Sequence, residues 1–267
     1  MICFHFTRKK FLSLSSTGRH RWIIKWLSPI YQQIVTNRIS MESLDLFFTS
    51  YSDVLAWMEE EKPVKPCRQH HKLWVEFVSD AIHFHRTQAN QVVRDQDLFL
   101  NIEKNDLGEN TRRAPAFDCH MALDGLRSLF NVGSIFRVCD AGGFSSIILG
   151  STPGREDPRV LKTSMQAAQW MPQTPTDNLA ETLEIRKNQG YRIVGIETVQ
   201  GAVPYADYPW QNKTIIVLGN EEYGISSHVL KVCDDFIRIP MFGRKNSLNV
   251  ATAAAIVVFQ AGLHLSA

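Results

Sequence analysis

Ile215-Ile-Val-Leu-Gly-Asn-Glu-Glu-Tyr-Gly-Ile225, followed by Ile237-Arg-Ile-Pro-Met-Phe-Gly-Arg-Lys-Asn-Ser-Leu-Asn-Val-Ala-Thr252, decides the reading of this chain. Each stretch is a short apolar, β-branched run that gives way to a loop of Gly, Asn, Ser and charge. Strands ending in such loops are where an α/β domain holds its ligand, outside the carboxyl ends of its sheet. Upstream, Leu126-Arg-Ser-Leu-Phe-Asn-Val-Gly-Ser-Ile-Phe-Arg-Val-Cys-Asp-Ala-Gly-Gly143 follows a strand at Cys119–Leu123 and repeats the plan. Asn131 reads as the N-cap of a helix with Val132, Ile135, Phe136 and Cys139 on one stripe, stopped by Gly142-Gly143. Arg137 falls on the other side, near the helix start, where free backbone N–H groups and a guanidinium together make a small anion site.

Working outward, Ser146–Leu149, Tyr191–Val199, Thr214–Leu218 and Phe236–Ile239 read as further strands. Asp177 reads as the cap of a helix running through Gln189 and closed by Gly190. Strands alternating with helices predict a mostly parallel α/β sheet with helices on both faces. The last helix, starting at Val250, is apolar nearly all round. It must bury two faces, one on the sheet and one on a partner subunit.

The N-terminal part differs in kind. Residues 1–40 carry seven Lys/Arg and no acid. That composition resembles an organellar transit peptide, and it also suits a stretch lying upstream of a true start at Met41. The segment is read as lacking fixed structure, although Ile23 to Ile34 has the spacing of a short amphipathic helix. Residues 41–112 read as a helical extension and linker, with Leu44, Phe47, Phe48, Tyr51, Val54, Leu55 and Met58 at helical spacing. A second run holds Leu73, Trp74, Phe77, Val78, Ala81, Ile82 and His85. His70, His71, His83 and His85 lack an acid or cysteine at ligand spacing and read as surface or RNA-facing histidines. Trp57, Trp74, His83, Arg86 and Arg94 suit either an RNA-facing surface or a packing element, while Arg112 and Arg113 in the linker suit either a phosphate contact or a solvated pair. The third region, 113–267, holds the loops quoted above.

Composition narrows the function classes. Hydrophobic residues make up 44% and charged residues 21%, which fits a globular body. The net charge of +2 hides an asymmetry, because residues 41–267 hold 22 basic against 27 acidic residues. A nucleic-acid footprint on that body must be a local patch. The five cysteines include no C-x-x-C pair, which argues against zinc and for a reducing compartment. Cys139 and Cys233 read as packing residues rather than nucleophiles. No apolar run is long enough for a membrane helix. None of the 15 glycines sits two positions from another, so the dinucleotide fingerprint is missing. So are the Walker loop, H-E-x-x-H and G-x-S-x-G.

Three linked motifs then carry a resemblance. Asn131-x-Gly-x-x-x-Arg137, Leu-Gly219-Asn220-Glu221-x-x-Gly224-Ile-Ser and Ile-Pro240-Met-x-Gly-x-x-x-Ser247-Leu-Asn249-Val resemble the motifs of the SpoU/TrmH branch of the SPOUT RNA methyltransferases. The resemblance covers about residues 117–265 and includes the Lys162-Thr163 segment. It implies a SPOUT-type sheet with a C-terminal trefoil knot, which periodicity could not have shown. It also implies S-adenosylmethionine as cofactor, held at Ile196, Glu197, Gly219, Ile239, Met241 and Leu248, with no metal. The implied partners are tRNA or rRNA and a second subunit, in a homodimer with the active site at the interface. The implied setting is cytoplasmic, or organellar if residues 1–40 act as a targeting segment. The implied reaction is methyl transfer to a ribose 2′-OH, with Asn131, Arg137, Glu221, Ser247 and Asn249 as catalytic residues. A SPOUT-fold RNA-binding protein without turnover and a SPOUT base methyltransferase are the alternatives. Met165-Gln-Ala-Ala-Gln-Trp170 departs from the family, where a more Gly- and Glu-bearing run is expected.

Overall fold

In the computed structural model, which describes residues 4–67, 70–91 and 114–267, the region after residue 113 is built on one parallel sheet. Its strands are β1 (Cys119–Asp124), β2 (Ser146–Gly150), β3 (Gln173–Thr176), β4 (Arg192–Ile196), β5 (Val203–Pro204), β6 (Thr214–Gly219) and β7 (Asp235–Arg238). They lie in the order β3-β2-β1-β6-β4-β7-β5. All six described pairings are parallel, and Asp124 at the end of β1 sits level with Gly150 of β2 and Gly219 of β6. The central strands are buried along their length, so they read as continuous apolar runs rather than alternating ones. β3 and β5 were not expected. They form the two edges, and each contains a proline, Pro175 and Pro204, which an edge strand tolerates because one row of its N–H groups has no partner.

The chain divides into two compact units, Met1–Phe99 and Leu100–Ala267. The first holds α1 (Arg8–Leu12), α2 (Ser16–Val35), α3 (Met41–Trp57) and α4 (His71–Gln88). The expectation of a structureless 1–40 is corrected here. Phe11, Ile23, Leu27, Ile30 and Ile34 are fully buried in one core with Leu44, Phe47, Val54, Trp74 and Val78. Each such side chain contributes about 1.5–3 kcal/mol on burial, enough to offset the composition bias. Ser15 and Ser40 cap α2 and α3 by accepting from the N–H groups of Gly18 and Ser43.

The histidine reading also changes. His85 is fully buried, with its Nδ1 2.7 Å from Nδ1 of His20 and its Nε2 3.1 Å from the Tyr51 hydroxyl. Trp74 is buried too, so packing accounts for both. Arg94, Arg112 and Arg113 lie outside the described residues.

In the second unit, α5 (Leu129–Ala141), α6 (Pro158–Thr163), α7 (Ala167–Trp170) and α10 (Val250–Ser266) share one apolar cluster on the sheet. Two further helices, α8 (Leu179–Asn188) and α9 (Ser227–Leu230), share a separate cluster with Ile148, Ile215 and Val217, whose side chains point the other way from their neighbours along the strands. Asn178, not Asp177, caps α8. Cys119 and Cys139 are buried, and burial pushes the Cys119 thiol up to about 11 and Cys139 higher still, so both act as packing groups. No helix among the described residues is long and apolar enough to cross a membrane.

Candidate active site

The loops after β1, β6 and β7 meet through three side chains. Asn131 is 5% exposed. Its Nδ2 donates to Glu221 Oε1 at 3.0 Å, and its Oδ1 accepts from Asn249 Nδ2 at 2.9 Å. Glu221 Oε2 and Oε1 also accept the backbone N–H groups of Arg127 and Ser128, at 3.2 and 3.1 Å. Asn249 Oδ1 caps α10 by accepting from Ala251 and Thr252. Burial pushes the Glu221 carboxyl up, but the hydrogen bonds from Asn131, its own backbone and those of Arg127 and Ser128 outweigh that and hold it below the usual range. Asn131 is therefore not the N-cap of α5. That place belongs to Ser128, whose hydroxyl accepts from the Asn131 N–H. Asn131 instead faces inward and ties the loops together.

A second layer fixes the β6 loop. Asn220 is buried, donates from Nδ2 to the Gly125 carbonyl at 2.6 Å and exchanges backbone hydrogen bonds with Gly224. Gly219 packs so tightly that an added Cβ would lie 2.1 Å from the backbone at Gly224 and Ile225. Gly224 has φ +74°, and its missing side chain leaves room for the Glu197 carboxylate. That carboxylate accepts the Ile225 N–H at 3.2 Å. The sequence reading missed Asp124, which is buried at the end of β1 and accepts the Ser226 N–H at 2.7 Å. Its signal was a lone acid closing an apolar strand.

Four of the six positions expected to hold a cofactor lie at the ends of neighbouring strands. Ile196 ends β4 and Glu197 follows it, Gly219 ends β6, and Ile239 follows β7; these three strands are neighbours in the sheet. Ile239 and Met241 are half-buried, and Leu248 is exposed in the loop before α10. Ser247 is exposed as well and lies outside the hydrogen-bonded network. Phe242, Arg244 and Lys245 project from the same loop.

Arg137 corrects an expectation. It lies two turns beyond the start of α5, so free backbone N–H groups do not surround it. It is exposed, and no hydrogen bond or ion pair engages it among the described residues. A cation there stays available to an anion. The neighbouring α6 approaches closely because Gly133 has no side chain: an added Cβ would lie 2.0 Å from Thr163 Oγ1 and 2.7 Å from the Ser164 N. Thr163 Oγ1 donates to the Leu129 carbonyl at 3.0 Å. After α6, Met165 and Gln166 both adopt left-handed backbone, with φ of 50° and 70°. Both fall in the run where more Gly and Glu was expected. Trp170 closes this segment, donating from Nε1 to Asp140 Oδ1 at 3.0 Å.

An open crevice of about 720 Å³ borders the second layer, lined by Asp124, Ser226, Asp177, Glu181 and Glu184. Its charge is wrong for a polyanion, and it includes none of Asn131, Arg137 or Asn249.

Residues 118–259 match the SpoU rRNA Methylase family. A protein of Staphylococcus haemolyticus assigned to the TrmH family of tRNA/rRNA methyltransferases is 35% identical over 170 residues, covering 62% of this chain and 64% of its own. The chain thus spans less than two thirds of the length of that curated relative. Among solved structures, the TrmH/SpoU tRNA modifying enzyme of A. aeolicus superposes with a TM-score of 0.53 at 26% identity, over 57% of this chain and 77% of its own. The AdoMet-bound rRNA methyltransferase of Sinorhizobium meliloti gives 0.53 at 29% identity, over 57% and 59%.

Proposed function

The chain belongs to the SpoU rRNA Methylase family, and on that premise we propose that it is an S-adenosylmethionine-dependent methyltransferase acting on a ribose 2′-OH of tRNA or rRNA. The observation that supports this most is the Asn131–Glu221–Asn249 network, which draws three separate loops into one site, with the exposed Arg137 on the same helix as Asn131.

The rim of β4, β6 and β7 fits the cofactor chemically. Ile196, Ile239, Met241 and Leu248 offer apolar surface for a purine, and the backbone around Gly219 and Glu197 offers polar groups for its edge and ribose. When bound there, S-adenosylmethionine supplies a sulfonium methyl that is already electrophilic. The chain's residues must then align the hydroxyl and ease the loss of its proton. Arg137 does not act as a base, since a guanidinium stays charged to a pKa above ~12. It binds the target phosphate, and its charge lowers the pKa of the adjacent 2′-OH. Loss of the hydroxyl proton to a phosphate oxygen would ready the oxygen to take the methyl group as the S–CH3 bond breaks and the sulfonium leaves as a neutral thioether. Asn131 and Glu221 hold the loops, while Asn249 starts α10 and Ser247 contacts the substrate.

The proposal includes the trefoil knot, formed where the chain leaves β7 and returns to lay α10 on α5. It includes a homodimer in a cytoplasmic setting. Phe259 is 50% and Leu263 71% exposed on α10, an apolar second face that suits another subunit.

The test supplies tRNA and rRNA fractions lacking their own modifications, with labelled S-adenosylmethionine and the full chain, because α2 is part of the N-terminal core. Label in one RNA class is expected. Calorimetric cofactor binding with no label in either class would favour an RNA-binding protein without turnover.

A further inference from the structure

The acid-free segment builds a surface that the methyltransferase region does not explain. On the N-terminal unit, Lys10 Nζ lies 5.7 Å from the Phe6 ring centroid, Phe6 packs edge-on to Trp22 at 5.1 Å, and Lys25 Nζ lies 4.7 Å from Trp22. Arg21 and Lys25 are four residues apart on α2 and so share a face. The result is an unbroken run of Lys10, Phe6, Trp22, Lys25 and Arg21. Trp22 is 41% exposed and the three cations are exposed. None of these cations forms a salt bridge among the described residues, and residues 1–40 contain no acid to neutralise them.

Phe6 packs one side against the N-terminal core, but packing does not account for the exposed Trp22 and the three cations. The buried stripe of α2 is Ile23, Ile24, Trp26, Leu27, Ile30 and Ile34, and Trp22 turns away from it. Aromatic rings interleaved with cations are the chemistry that grips single-stranded RNA: bases stack on the rings while Lys and Arg take the phosphates. We propose that the Lys10–Phe6–Trp22–Lys25–Arg21 run on the N-terminal unit is a second RNA-binding surface, which holds a single-stranded part of the substrate. The proposal shares with the reading above only the class of partner.

Binding of a fluorescent single-stranded RNA to the full chain, measured by anisotropy over a range of salt, tests it. The variant Lys10→Ala/Arg21→Ala/Lys25→Ala should bind at least about tenfold more weakly. Its slope of log affinity against log salt should fall by about 2, since each lost phosphate contact on a single strand removes roughly 0.7. Trp22→Ala should weaken binding with the slope unchanged, and Trp22→Phe should restore most of it. Unaltered circular dichroism and cofactor binding establish that the variants are folded. Wild-type affinity and slope in the triple variant would overturn the proposal. So would unchanged RNA binding with lost binding to mixed phosphatidylcholine–phosphatidylserine vesicles, which would assign the surface to a membrane. If the wild type transfers no methyl group but these variants lose RNA, the surface stands and the enzymatic reading falls.

Discussion

Asn131 and Glu221 lie 90 residues apart in the chain and 3.0 Å apart at the site. The same asparagine accepts from Asn249, 118 residues away. One buried amide thus fixes the relative positions of the loops after β1, β6 and β7.

Substitution of Asn131 should expose that coupling. Asn131→Ala leaves the Glu221 carboxylate and the Asn249 amide each short of a partner, a cost of about 1–3 kcal/mol. Asn131→Asp sets a second carboxylate against Glu221 and should be worse at pH 8. Because protonating one of the two relieves the repulsion, the gap between the variants should narrow towards pH 5. Thermal melts of both variants at the two pH values check this.

Gly133→Ala should destabilise through contact with Thr163 Oγ1 and the Ser164 N–H. Part of the obstruction is backbone, so α6 must move from α5, costing about 1–3 kcal/mol. The melting temperature should fall, and trimming Thr163 to Ala should recover only part of the loss.

Gln166→Gly should act in the opposite direction. A side chain at φ 70° costs roughly 1–2 kcal/mol that glycine avoids, less about 0.5–1 kcal/mol of glycine's own chain entropy. A rise in melting temperature is expected, read by calorimetry.

The buried His20–His85 pair makes the N-terminal unit acid-sensitive. Burial pushes His20 down, and burial with the adjacent His20 pushes His85 down to about 3, while Tyr51, Glu60 and Arg19 also face the pair. Both groups titrate below their ordinary 6.5, so the unfolded chain binds more protons in that window. Their contribution to stability is complete above pH 6.5 and is lost as the pH falls towards 3. Urea unfolding followed by tryptophan fluorescence should show this loss in the wild type. It should be reduced in His20→Gln/His85→Gln, where the amides keep hydrogen-bonding capacity without titrating.

The central strands and the three motif loops were legible in the sequence because buried parallel strands are written as unbroken β-branched runs. The edge strands were not, since Pro175 and Pro204 read as breaks until their edge positions are known. Ser128 and Asn131 are both good caps three residues apart, and the choice between them rests on partners 90 and 118 residues away. The same limit hid the purpose of Gly133, whose backbone dihedral is ordinary and whose constraint is Thr163. For residues 1–40, composition outweighed the Ile23–Ile34 stripe, because the aromatic and aliphatic partners that bury it lie in α3 and α4.

Methyl transfer to a ribose hydroxyl, with Arg137 binding the target phosphate, is the reaction proposed. Alkaline hydrolysis of RNA treated with the full chain and S-adenosylmethionine tests it most directly, with Arg137→Ala beside the wild type and cofactor binding measured for both. A single alkali-resistant position is expected with the wild type and none with the variant, at equal cofactor affinity. Methyl label at a position that alkali still cleaves would contradict the account and assign the methyl group to a base.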